Sequence, residues 1–181
     1  MLVISTHVDS RLAPATFDNV VVNTPEFTSS SDIGVTRPGT TTTDGATITI
    51  EGGGADIWNA SDAFRFHQSL VVLDASVTVR VRSLENTNVW AKAGVMFRES
   101  EHPSARHVMA IVSPGKGVSL QYRDMVGGLS GEAARRAGTA PEWLRLTRTG
   151  HTFLAEMSED GLTWVTLGSV TIPMNHIVFA G

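Results

Sequence analysis

Asn88-Val89-Trp90-Ala91-Lys92-Ala93-Gly94-Val95-Met96-Phe97-Arg98-Glu99 alternates along most of its length. Ala91, Ala93, Val95 and Phe97 form one small apolar row, and Trp90, Lys92, Gly94, Met96 and Arg98 form the other. A strand sends successive side chains to opposite faces. The stretch therefore predicts one strand over 89–98 with a dry side and a mixed side. A mixed side holding Trp, Lys and Arg is a candidate binding surface and carries no catalytic device.

The pattern recurs outward from this stretch. Val77, Val79 and Val81 oppose Thr78, Arg80 and Arg82, and Val118, Leu120 and Tyr122 oppose Ser119, Gln121 and Arg123. Leu144 and Leu146 oppose Trp143, Arg145 and Thr147. Further strands are predicted over 2–6, 15–22, 46–51, 63–68, 76–83, 107–112, 118–124, 143–149, 152–158, 164–171 and 177–180, broken by Gly, Asn, Asp, Ser and Pro. Thr149-Gly150-His151 and Glu159-Asp160-Gly161 read as hairpin turns, because Gly supplies the positive φ such turns need. Helix signals are weak: Gly131–Gly138 is expected to form one or two turns or a loop. Two sheets stacked about 10 Å apart would bury the apolar rows. The expected fold class is all-β, a two-sheet antiparallel β-sandwich, with Phe64 and Phe66 in its core and Trp58 and Trp164 plugging its ends.

The chain has 181 residues, which predicts one domain. Hydrophobic residues make up 41% and charged residues 18%, a globular composition. The formal net charge is −4, unfavourable for nucleic acid or an anionic membrane surface. The Arg135-Arg136 pair is too small a basic patch to change that. There are no cysteines, so disulfides and thiolate metal sites are excluded. No apolar run approaches the roughly 18 residues of a membrane helix, and no signal peptide is visible at the N-terminus.

Several segments together resemble a bacterial family of concanavalin A-like jelly-roll domains, the lectin and glucanase fold, repeated in secreted multidomain proteins. They are Asp32-Ile33-Gly34, Gly52–Trp58, Asp62–Phe66, Trp90–Ser100, Trp143–Arg148, Ser158–Trp164 and Ala15–Val20. The W-A-K-A-G-V-M-x-R run is the most specific of these. The resemblance covers almost the whole chain. It implies a jelly roll, an extracellular or cell-surface setting, and an accessory role in carbohydrate binding or adhesion.

The order of segments departs from the family. A sequence like Ala15–Val22 closes the family's domain at its C-terminus, yet here it lies near the N-terminus. Ile177-Val178-Phe179-Ala180-Gly181 reads on into Leu2-Val3-Ile4-Ser5-Thr6 as one strand. The chain therefore resembles a circularly permuted domain, or one cut out of phase from a tandem array. Residues 1–22 supply the closing strands, 23–31 a linker-like connection, and 32–181 the remainder. Either the N-terminal segment closes its own sheet, or it completes a neighbour's sheet and builds a strand-exchanged fibre. Permutation is tolerated where termini lie close together, which favours closure within the chain.

A glycosidase needs two carboxylates flanking a bond, roughly 5–10 Å apart. The E-x-D-x-x-E strand of the related laminarinases does not occur. Glu99 and Glu101 are the closest acids two apart, at a strand end before His102-Pro103. No nucleophile elbow, phosphate loop or zinc-type histidine spacing occurs. Jelly rolls often carry structural calcium, for which Asp56 and Asp62 are the candidates; the alternative is that they cap turns. Sugar rings stack on Trp or Tyr while Arg, Gln, Asn and Asp bond their hydroxyls. Trp90, Lys92, Arg98, Gln121, Arg123, Trp143 and Arg145 form a candidate carbohydrate site if their strands are neighbours. The bland reading is a solvated face with Arg and Lys stems lying over Trp. The expected function is a non-catalytic carbohydrate-binding module with a polysaccharide or glycan as partner. The alternative is a structural or adhesive repeat that self-associates through its terminal strand.

Overall fold

The computed structural model describes residues 2–22, 29–34 and 37–181. One sheet holds β1 (Leu2–Ser5), β3 (Ser29–Ile33), β8 (Phe64–Val72), β10 (Lys92–Arg98), β11 (His107–Ser113), β12 (Gly117–Arg123), β13 (Gly131–Arg136) and β17 (Ile177–Ala180). The other holds β2 (Val8–Val22), β4 (Thr40–Asp44), β5 (Thr47–Gly54), β9 (Ala75–Leu84), β14 (Glu142–Thr149), β15 (Thr152–Ser158) and β16 (Val165–Thr171). A short hairpin, β6 (Ile57–Trp58) and β7 (Ser61–Asp62), stands apart. The described pairings are antiparallel, so the fold is the expected two-sheet antiparallel β-sandwich.

The inner rows read from the sequence meet in one core. Val95, Phe97, Val118 and Leu120 from the first sheet join Val77, Val79, Val81, Leu144 and Leu146 from the second. Phe97 packs on Phe153, ring centroids 5.6 Å apart. The β14–β15 turn uses Gly150 at φ 60°, as its sequence requires.

The split strand closes within its own chain. β17 and β1 lie end to end between β8 and β10. Along β10, Phe97 faces Ala180 and Gly94 faces Val3. Between them the Gly181 N–H donates to the Met96 carbonyl at 2.7 Å. On β8 the register runs on likewise, from Ala180 opposite Ser69 to Leu2 opposite His67. Gly181 is thus followed directly by Leu2, as the joined reading requires.

Three expectations are corrected. β10 begins at Lys92, and Trp90 sits in the preceding turn, where its N–H donates to Asn88 Oδ1 at 2.9 Å. Gly131–Gly138 forms no helix: β13 pairs with β12, because an edge beside a sheet outweighs the propensity of Ala and Arg for helix. Of the linker-like 23–31, residues 29–31 belong to β3 and pair with β8, while 23–28 lie outside the described residues.

Candidate functional site

Every residue of β10 and β11 is buried, on both faces of the sheet. Behind the inner core, Val3, Ile33, Ile57, Phe64, Phe66, Met96, Met109 and Ile111 form a second apolar cluster on the outer face. Ile57 comes from the β6–β7 hairpin and Ile33 from the end of β3. The hairpin roofs the sheet, and Ile33 joins the cluster from an edge strand of the sheet itself. The mixed rows of β10 and β12 are therefore no solvated surface: Lys92 is 1% exposed and Arg98 0% on the first, Gln121 1% and Arg123 0% on the second. Buried charges must be paired, and the roof brings the acids.

Asp62, at the end of the hairpin, accepts from Arg98 Nη1 at 2.6 Å, Arg123 Nη1 at 2.7 Å and Arg123 Nη2 at 2.5 Å. Arg123 also donates to the carbonyls of Asn59 at 3.0 Å, Ala105 at 3.1 Å and Gly128 at 3.0 Å. Arg98 donates to the Ser100 carbonyl at 2.9 Å and the His102 carbonyl at 2.5 Å. The two arginines thus staple three loops to the sheet through one carboxylate. Burial opposes ionising Asp62, but the guanidiniums outweigh it and hold the carboxyl below its ordinary range. His107 beside them is pushed down to about 3, first by burial and then by the two arginines, so it is neutral at pH 7. Arg98 and Arg123 are corrected from ligand contacts to internal ties.

At the other end of the outer face the roof stops short and leaves a half-open cavity of about 400 Å³. Trp58 and Trp90 line it, with His7, Asp56, Lys92, Gln121, Glu132 and Arg135. Lys92 Nζ is hydrogen-bonded to Asp56 Oδ1, and burial pushes the ammonium's pKa down against that partner. His7 Nδ1 stands 3.2 Å from Asp56 Oδ2. Opposite them, Glu132 accepts from Arg135 Nη2 at 2.6 Å and Gln121 Nε2 at 3.3 Å. Two of these side chains keep a buried polar atom without a hydrogen bond among the described residues, Gln121 Oε1 and His7 Nδ1. The Trp90 ring is approached by Lys116 Nζ at 5.0 Å and the Arg135 guanidinium at 4.8 Å.

Trp90, Lys92 and Gln121 therefore meet as expected, and Trp58 joins them rather than plugging an end. A two-residue strand leading into a tight hairpin gave no signal that Trp58 would fold back over the sheet. Trp143 and Arg145 do not join: they lie on β14 of the second sheet, where Arg145 pairs with Glu156 at 2.6 Å and stacks 4.1 Å from Trp164. Their side of that sheet is the solvated one, with Arg stems over aromatic rings. Glu99 and Glu101 serve separate contacts, Glu99 with the Asn175 N–H at 3.0 Å and Glu101 with Ser31 and Gln68. The calcium candidates do not fit that ion. Calcium takes six to eight oxygens, whereas Asp62 is filled by two guanidiniums and Asp56 by Lys92. Among the described residues no group of three His, Asp or Glu side chains could hold a metal.

No protein-family model matches the chain, and no curated protein matches it. A solved structure does match: a functionally unknown protein from Saccharomyces cerevisiae, 19% identical, with a TM-score of 0.59 over 85% of this chain and 84% of that one. At that identity the likeness speaks for the fold alone, a two-layered antiparallel arrangement.

Proposed function

We propose that the chain is a non-catalytic carbohydrate-binding module on a circularly permuted concanavalin A-like jelly roll, working in a secreted or cell-surface protein. The observation that carries this reading is the cavity between Trp58 and Trp90. Its volume is in the range of small-ligand sites. Indole walls suit the C–H faces of a sugar ring, and amide and carboxylate groups suit its hydroxyls. The unpartnered Gln121 Oε1 is an acceptor that a sugar hydroxyl would satisfy. Both carboxylates lining the cavity are held in ion pairs, Asp56 by Lys92 and Glu132 by Arg135, which supports binding over general acid–base work. The extracellular setting rests on the sequence resemblance.

The test is affinity electrophoresis and a glycan array with the full chain, beside Trp58→Ala and Gln121→Ala. Retention on at least one polysaccharide, lost in both variants while their melting temperatures hold, supports the reading. No retention on any β-glucan, xylan, pectin or host-type glycan overturns it.

The split strand favours a second reading, a structural or adhesive repeat. β1 fills its slot between β8 and β10 without a covalent link to β17, so an identical strand from a neighbour fits the same register. Size-exclusion with light scattering separates the two. Concentration-dependent polymers support exchange, and a strict monomer at high concentration removes it.

A further inference from the structure

The cavity's rim carries an imbalance of charge. Inside, Lys92 faces Asp56 and Arg135 faces Glu132, one cation to one acid. Lys116 adds a further cation at the mouth, on the turn between β11 and β12, and makes no ion pair among the described residues. Its ammonium and the Arg135 guanidinium are both drawn to the one Trp90 ring, at 5.0 and 4.8 Å. Two like charges gathered at one indole repel each other, and Glu132 neutralises only one of them. The second sheet offers the balanced case: one indole, Trp164, one cation, Arg145, and one acid, Glu156. Arg135 binds Glu132 through Nε and Nη2, and its Nη1 makes no hydrogen bond among the described residues. A free fork nitrogen beside a free ammonium is a receptor for an anion. Beyond the mouth, the groove along Pro114–Gly117 and Arg135–Thr139 is lined by no acidic residue among those described. This positive rim occurs on a chain whose formal net charge is −4.

We propose that the ligand is an anionic saccharide, its carboxylate or sulfate held between Lys116 Nζ and Arg135 Nη1 at the Trp90 rim. This rests on the carbohydrate reading of the same cavity and adds the class of sugar. The ring occupies the cavity between the two indoles, and the anion supplies the missing counter-charge at its mouth.

The experiment is isothermal titration of the full chain with matched pairs: polygalacturonate against its methyl ester, and dextran sulfate against dextran. The anionic member is expected to bind about tenfold more tightly at low salt, an advantage that shrinks as salt screens the contact. The two pairs distinguish carboxylate from sulfate. Lys116→Gln is expected to bring the anionic member down to the affinity of its neutral counterpart, with the melting temperature unchanged. Arg82→Gln, a cation of the second sheet, serves as the control for net charge. Equal binding of neutral and anionic members, or a Lys116→Gln variant that keeps the preference, overturns this inference and leaves the carbohydrate reading standing. No binding of any of the four polymers also overturns this inference, and the carbohydrate reading then falls only if the glycan panel above fails as well.

Discussion

The two sheets use the same residue types to opposite ends. On β14 of the second sheet burial alternates, and Trp143, Arg145 and Thr147 stay half-exposed on the outside. On β10 of the first sheet it does not alternate, and Lys92 and Arg98 are as buried as Val95 and Phe97. The difference lies in where the acid comes from. Arg145 finds Glu156 on the adjacent strand, at the surface. Arg98, Arg123 and Lys92 find Asp62 and Asp56 on a hairpin folded over the sheet from elsewhere in the chain. A charged residue such as Arg145 or Lys92 thus marks the face away from the inner core, while Glu142 and Arg148, toward the two ends of β14, lie on its buried row. Whether the outer face is wet depends on what else covers it.

Breaking the internal tie is the sharpest probe of this contrast. Asp62→Ala strands two buried guanidiniums and is expected to cost about 3–5 kcal/mol. Glu156→Ala on the second sheet is expected to cost about 1 kcal/mol or less, since Arg145 can turn to water. Denaturant titrations of both compare the two sheets directly, and equal losses would erase the distinction. Phe97→Ala, which empties a core position shared by both sheets, is expected to cost about 3–5 kcal/mol. Trp90→Ala, in a half-buried turn, is expected to cost less in stability while removing glycan binding. Thermal melts in the reverse order would invert the assignment of inside and outside.

Acid and base act oppositely on the two sheets. In the first, burial pushes His67 down to about 4 and His107 down to about 3. The unfolded chain then binds more protons below about pH 6.5, so stability falls as pH drops from there toward 3. In the second, Glu142 is raised to about 7, by burial and then by the charge of Glu159. Here the folded chain binds more protons above the ordinary carboxyl range, so stability falls as pH rises from about 4.5 to 7 and then levels. Glu142→Gln is expected to remove that second slope and leave the acid limb, read from melting temperatures between pH 4 and 8. An unchanged slope would assign it to other groups. The smallest expected effect is that of Arg82→Gln, whose partner Asp18 also lies 3.8 Å from Arg80. It should change stability by about 0.5 kcal/mol.

Much of the sandwich was legible because inner rows announce themselves by alternation. Val77, Val79 and Val81 and the Leu144–Leu146 pair all reached the core. The run V-M-A-I-V at 108–112 carried a further signal, since a strand apolar on both sides is a strand covered on both sides. β3 and β4, rich in Ser and Thr, had no apolar row to show, and β13 had Ala and Arg that favour helix. In the candidate site, Trp90, Lys92 and Gln121 could be named from alternation and chemistry. Trp58, Asp56, Glu132 and Arg135 could not be joined to them, because their meeting depends on a hairpin and an edge strand distant in sequence.

Residue order alone determined the layered β architecture and the inner face of β9, β10, β12 and β14, as consequences of side-chain period and short-range turn chemistry, and the resemblance pointed to the continuity of Gly181 into Leu2. On β8 the expectation was reversed: Phe64 and Phe66 lie on the outer face. Tertiary structure decided that the first sheet has a second core behind it, that Arg98 and Arg123 are ties and not ligand contacts, and that a cavity remains where the roof ends. The physical reason is that burying a charge needs a counter-charge within a few ångströms, and only the folded chain brings residues some 36 or 61 apart in sequence to that distance.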